Sequence, residues 1–185
     1  SAENGKFEKK IIQGERNAEY EELHILKPGI TWSPDGKKLA FAAKSGKSDA
    51  LFIYDIEEEK SEKFRLGLEG IFRPTWSPLG DEIAFIGNNG EKSDIYIYDL
   101  YEKNLTNFTD DWFSEDHVSW SPDGMELLFI SDRLENLNIE NPASINHFPL
   151  AQNDIYAISR GSGQISRLTN TPWNEAYPVL TSERN

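Results

Sequence analysis

Three copies of one turn, Trp32-Ser33-Pro34-Asp35-Gly36, Trp76-Ser77-Pro78-Leu79-Gly80 and Trp120-Ser121-Pro122-Asp123-Gly124, follow one another at intervals of 44 residues. Pro presets φ for the first corner of a β-turn and Gly supplies the positive φ at its exit, so each copy reads as a hairpin turn. An apolar run follows each: Leu39-Ala40-Phe41-Ala42, Ile83-Ala84-Phe85-Ile86 and Leu127-Leu128-Phe129-Ile130. These read as buried strands. A further strand, Leu51-Phe52-Ile53-Tyr54-Asp55 and then Ile95-Tyr96-Ile97-Tyr98-Asp99, begins 19 residues after the first two Trp. Its third copy, Ile155-Tyr156-Ala157-Ile158-Ser159, begins 35 residues after Trp120, so the third unit carries 16 extra residues between its second and third strands. From Asp55 to Trp76, Asp99 to Trp120 and Ser159 to Leu180 the interval is 21 residues each time, which makes Tyr177-Pro178-Val179-Leu180 the expected opening strand of a fourth unit.

A period near 44 built from four short strands and no helix falls in the range of propeller blades. The expected fold class is therefore all-β, a β-propeller of four-stranded antiparallel blades. About three full blades are expected, near 28–71, 72–115 and 116–175, with the start of another at 176–185. Residues 1–27 are expected to supply N-terminal strands of an incomplete preceding blade or a connection, with a helix over 15–26 as the alternative. The turn, the strand after it, Ser131-Asp132-Arg133 and the Ile-Tyr third strand together resemble the PD40 or TolB-like repeat of six-bladed bacterial propellers. The resemblance covers about residues 28–180 and implies a binding or scaffold module of the periplasm or cell envelope. The repeat itself is weak evidence for any one function, because one fold hosts many.

Composition narrows the functional classes. The 185 residues are 37% hydrophobic and 12% aromatic, enough for a sizeable core, and carry a formal net charge of -13. Such an acidic chain lacks the Lys and Arg clusters that phosphate binding requires, so no nucleic-acid partner is expected. Without cysteine there is no disulfide framework, zinc-thiolate site or thiol catalysis. No apolar run approaches the roughly 18 to 20 residues of a spanning helix, so no membrane span is expected. No Gly-x-Ser-x-Gly elbow, Gly-rich phosphate loop, His-Glu-x-x-His or EF-hand is present. No cofactor, metal or catalytic residue is assigned on this basis; His24, His117 and His147 show no local ligand spacing.

Antiparallel neighbours send successive turns to alternate ends of a blade. The Trp-Ser-Pro turns and the turns between third and fourth strands share one end. The connections between blades, the loops between second and third strands, and the insertion over 132–153 share the other. The candidate partner-binding residues fall at that loop-rich end: Trp112, Phe113, Asp116 and His117 on one blade connection, Trp173, Asn174 and Glu175 on the next. Exposed aromatics on loops suit a recognition surface, although one Trp of each pair folding back on a neighbouring blade is the competing reading. The repeat residues Trp32, Pro34, Gly36, Trp76, Pro78, Gly80, Trp120, Pro122 and Gly124 are assigned to structure, the Trp as packing between blades. Asp132 and Arg133 are expected to form a local pair at the end of the second strand.

The favoured function is engagement of a protein or peptide through the loop-rich face. The alternatives are the propeller of a prolyl oligopeptidase-like peptidase, or a propeller enzyme acting on polysaccharide with Asp116 and His117 at the channel mouth. Three blades leave flat apolar faces open, so self-association as a dimer, or membership of a larger propeller, is expected.

Overall fold

The computed structural model describes residues 22–23, 29–133 and 152–181. Most of the N-terminal segment over 1–27, with its expected strands or connection and the helical alternative, lies outside the described residues, as does most of the 132–153 insertion. The described residues form three antiparallel sheets with no helix. In the first blade β1 (Glu22–Leu23) and β2 (Ile30–Trp32) both pair with β3 (Lys38–Ser45), which continues through β4 (Ser48–Asp55) to β5 (Lys60–Phe64). The second blade runs β6 (Gly70–Trp76), β7 (Glu82–Asn88), β8 (Ser93–Asp99) and β9 (Leu105–Asn107). The third runs β10 (Glu115–Trp120), β11 (Glu126–Ser131), β12 (Asp154–Ser159) and β13 (Ile165–Arg167).

Two placements differ from the sequence reading. Glu22–Leu23 belongs not to a preceding blade but to the first one, pairing with Lys44 and Ala43 at the head of its inner strand. Residues 177–180 form no ladder strand. Pro178 has no N–H to donate, and its carbonyl instead accepts the Ser119 hydroxyl at 2.6 Å.

Each turn is built as its residues dictate. Gly36, Gly80 and Gly124 have φ of 71°, 85° and 72°, and their amides donate to the Ser33, Ser77 and Ser121 carbonyls. Asp35 and Asp123 each accept the Ser hydroxyl two residues back at 2.6 Å and the amide two residues on at 3.0 Å. Leu79 can do neither, and its own amide donates to Ser77 Oγ. The turns between third and fourth strands lie alongside, since Ile56, Leu100 and Arg160 donate backbone amides to Lys37, Asp81 and Met125.

The second and third strands are apolar on both faces because each blade is stacked on another. Ala40, Ala42, Leu51 and Ile53 of the first blade pack against Ile71, Trp76, Ile83 and Phe85 of the second. Ala84, Ile86, Ile95 and Ile97 pack in turn against Val118, Trp120, Leu127 and Phe129 of the third. A cross-strand aromatic pair recurs at one register position: Phe41–Phe52, Phe85–Tyr96 and Phe129–Tyr156, with ring centroids 5.3, 6.1 and 5.7 Å apart. Trp76 and Trp120 are wedged between blades, 8% and 9% exposed, whereas Trp32 is 54% exposed on the outer face of the first blade.

Candidate functional site at the loop-rich end

The inner strands of the second and third blades enter their sheets through the same irregularity. The register of β6 against β7 shifts between Phe72 and Thr75, and that of β10 against β11 between Asp116 and Ser119. At each shift one residue takes a left-handed backbone: Arg73 at φ 51° and His117 at φ 53°; Tyr177 adopts 55° at the corresponding place after the third blade. This conformation costs a non-Gly residue about 1–2 kcal/mol, and a bulge of this kind re-aims the side chain it carries. Here the result is convergence. The Arg73 guanidinium lies 5.4 Å from the centre of the Tyr177 ring, and the His117 and Tyr177 rings meet edge to face at 4.1 Å. Asp116 sits between the two bases, its Oδ1 3.1 Å from Arg73 Nε and its Oδ2 3.7 Å from His117 Nδ1. The cluster gathers a guanidinium, an imidazole and a carboxylate, all three largely buried, beneath the exposed Tyr177.

Trp112 and Trp173 stand at the same end on loops pinned around them. Arg133, fully buried, reaches Asp111 at 2.9 Å and Glu115, and lies 5.2 Å over the Phe113 ring. Ser114 N donates to Asp132 Oδ1 at 3.1 Å, and Lys92 Nζ bridges Asp110 Oδ1 and the Asp111 carbonyl. With both neighbours held inward, Trp112 is turned out, 55% exposed. On the next connection Thr171 Oγ1 donates to Glu175 at 2.8 Å, Asn174 Oδ1 accepts from Asn153 N at 2.9 Å and Glu175 N donates to the Asn153 carbonyl. Trp173 is left 75% exposed.

The seven candidate residues thus divide by what they touch. Trp112 and Trp173 face solvent, Asp116 and His117 join the axial cluster, Phe113 lies under Arg133, and Asn174 and Glu175 tie their loop to the head of β12. Asp132 and Arg133 do not form the expected local pair: Arg133 turns inward to Glu115 and Asp111, while Asp132 caps Ser114. Arg73 and Tyr177 were missed as partners of His117. The available signal was their spacing, since Arg73 precedes His117 by the 44-residue period and Tyr177 follows it by 60, the period plus the 16-residue insertion.

One guanidinium between two carboxylates would bury a net negative charge, which favours retention of a proton by the pair. Burial pushes Glu115 up to about 8 against the opposing pull of Arg133, and raises Asp111 for the same reason. Among the described residues no group of three His, Asp or Glu side chains is placed to hold a metal, and no helix is long and apolar enough to cross a membrane.

Comparison with known proteins places these features. The family model of the TolB beta propeller domain matches residues 15–139. The chain is similar to the crystal structure of TolB from Acinetobacter baumannii, with 25% identity and a TM-score of 0.61, over 80% of this chain and 33% of that one. It is similar in fold to a putative TolB from Agrobacterium tumefaciens, with 18% identity and a TM-score of 0.60, over 77% of this chain and 49% of that one. The tricorn protease shares the fold at 17% identity and a TM-score of 0.58, over 78% of this chain and 13% of that one. No curated protein matches in sequence. The chain spans about a third of the first of these structures and half of the second. With its repeated turns, its blade-on-blade core and a family match across most of its length, this chain belongs to the TolB beta propeller (PD40) family.

Proposed function

We propose that the chain is a non-catalytic binding module that engages a protein or peptide through its loop-rich end, in the periplasm or cell envelope. The observation that carries this reading is the pair of exposed indoles, Trp112 and Trp173, each on a loop whose flanking residues are fixed by hydrogen bonds and ion pairs. Rigid, outward aromatics lose little side-chain entropy on binding, and Trp dominates the energetics of protein interfaces. At the same end the Arg73, Asp116 and His117 side chains support the exposed Tyr177 ring, a third aromatic surface for a bound chain. The strain held at three equivalent backbone positions is the kind that persists at functional sites.

A displayed random-peptide library selected on the purified chain tests this. Selected peptides are expected to lose at least tenfold in affinity on Trp112→Ala or His117→Ala, with thermal stability little changed. Substituting Lys37 or Met125, in the turns at the opposite end, is expected to have no effect. Equal losses from the two ends would sink the assignment. Turnover of peptides or oligosaccharides by the chain would favour the enzymatic readings instead.

A further inference from the structure

The opposite end of the molecule carries a site of its own. At the junction of the second and third blades, Arg160 crosses from one blade to the other: its guanidinium donates to Glu82, with Nε 3.1 Å from Oε2, and lies 5.6 Å from the centre of the Phe108 ring. The same positions at the junction of the first and second blades hold Leu100, Lys38 and Phe64. The aromatic shelf is kept, with Lys103 Nζ 5.0 Å over the Phe64 ring, but the ion pair that spans the crevice is gone. In its place is a cleft of ≈ 680 Å³, within the size range of small-molecule sites.

The lining indicates the ligand's chemistry. Lys38, Lys60 and Lys103 face it, and so do Asp35, Asp55, Glu58 and Glu62. A ligand of either charge would meet repulsion as well as attraction from that set. Hydroxyl groups, which both donate and accept, are served by both kinds of head group. Apolar surface is supplied by Trp76 in the wall and by the exposed Leu79 and Tyr101 at the rim. Two wall atoms, Trp76 Nε1 and Ser61 Oγ, are shut off from solvent without a hydrogen-bond partner among the described residues. The equivalent indole of the third blade, Trp120, donates to the Thr75 carbonyl at 3.1 Å. The indole that is hydrogen-bonded at one junction is thus without a partner at the other, behind the wall of the cleft.

We propose that the cleft between the first and second blades binds a neutral, hydroxyl-rich ligand, a short oligosaccharide, against Trp76 and Tyr101. It lies at the end opposite Trp112 and Trp173, and neither site depends on the other. The five Trp give separate indole N–H resonances in a ¹⁵N-labelled sample, so maltotriose, cellotriose, chitotriose and trigalacturonate can each be titrated and the responding indole identified. A saturable shift of the Trp76 resonance is expected with at least one neutral trisaccharide, at affinities on the order of millimolar or tighter. Tyr101→Ala, on an exposed turn, is expected to weaken it at least fivefold. The double variant Leu100→Arg with Lys38→Glu rebuilds the bridge of the neighbouring junction and is expected to abolish it while the chain stays folded. No shift with any neutral sugar, a response to trigalacturonate alone, or shifts confined to Trp112 and Trp173 would overturn the proposal. So would binding that survives the rebuilt bridge.

Discussion

Among the described residues Arg133 is the largest fully buried side chain, and its surroundings set a pH dependence that can be measured. It packs between the rings of Phe113, Phe129 and Tyr156 and meets Glu115 and Asp111. Glu115 titrates near 8 in the folded chain because its carboxylate is desolvated, and near 4.5 when unfolded. Between those values the unfolded state releases a proton that the folded state retains, so this group's stabilisation is full below about pH 4.5 and is lost as pH rises towards 8. The slope is at most about 1.4 kcal/mol per pH unit. Thermal unfolding from pH 5 to 8 is expected to show a falling Tm for the natural chain and a flatter profile for Glu115→Gln; parallel profiles would show that the carboxyl is ionised throughout. A second residue-scale test concerns the left-handed backbone at His117, where Gly is free of the Cβ penalty. Urea unfolding is expected to find His117→Gly more stable than His117→Ala by about 1 kcal/mol.

At the scale of the blade, the repeated Trp does different things in different copies. Trp76 and Trp120 plug the junctions below their own blades, so Ala at either position removes a large buried side chain and is expected to cost about 3–5 kcal/mol in chemical denaturation. Trp32 occupies the same place in its turn but faces outward, and Trp32→Ala is expected to cost less than about 1 kcal/mol in the isolated chain. Equal costs at the three positions would mean that Trp32 is covered in solution. The repeat made the blade legible in advance: turn, strand order and the identity of each apolar run follow from spacing and alternation. The site was only half legible. Trp112 and His117 stood out as residue types on a connection, whereas Arg73 and Tyr177 gave no local sign, because a left-handed bulge residue is recognised by its backbone angle and not by its side chain.

At the scale of the molecule, the first blade presents Ile30 and Trp32 to solvent on the face that in the other blades is covered by a neighbour. Tyr177 and Val179 are exposed beyond the third blade. We expect the isolated chain to self-associate through these faces, most simply as a two-fold dimer of three-bladed halves, unless further blades cover them. Sedimentation equilibrium at micromolar concentration should then show a species above 21.1 kDa, weakened by Trp32→Ser; a monomer indifferent to concentration would show that the faces are protected within one chain.

What the sequence determined by itself was the blade: a period of 44 residues, a Pro and Gly that force the same turn three times, and apolar strands that need cover on both faces. These are local and periodic constraints, so they can be read without coordinates. What only the tertiary structure decided was which of several equivalent residues meet. Arg73, His117 and Tyr177 come together because two bulged strands and the segment after the third blade place a left-handed residue at equivalent positions. Arg133 turned inward to carboxylates 18 and 22 residues away and left Asp132 to another partner. One blade junction carries an ion pair where its neighbour, with Leu100 and Lys38 at the same positions, holds a cleft. Such encounters depend on how blades stack in three dimensions, and spacing along the chain is silent about which side chain fills the space between them.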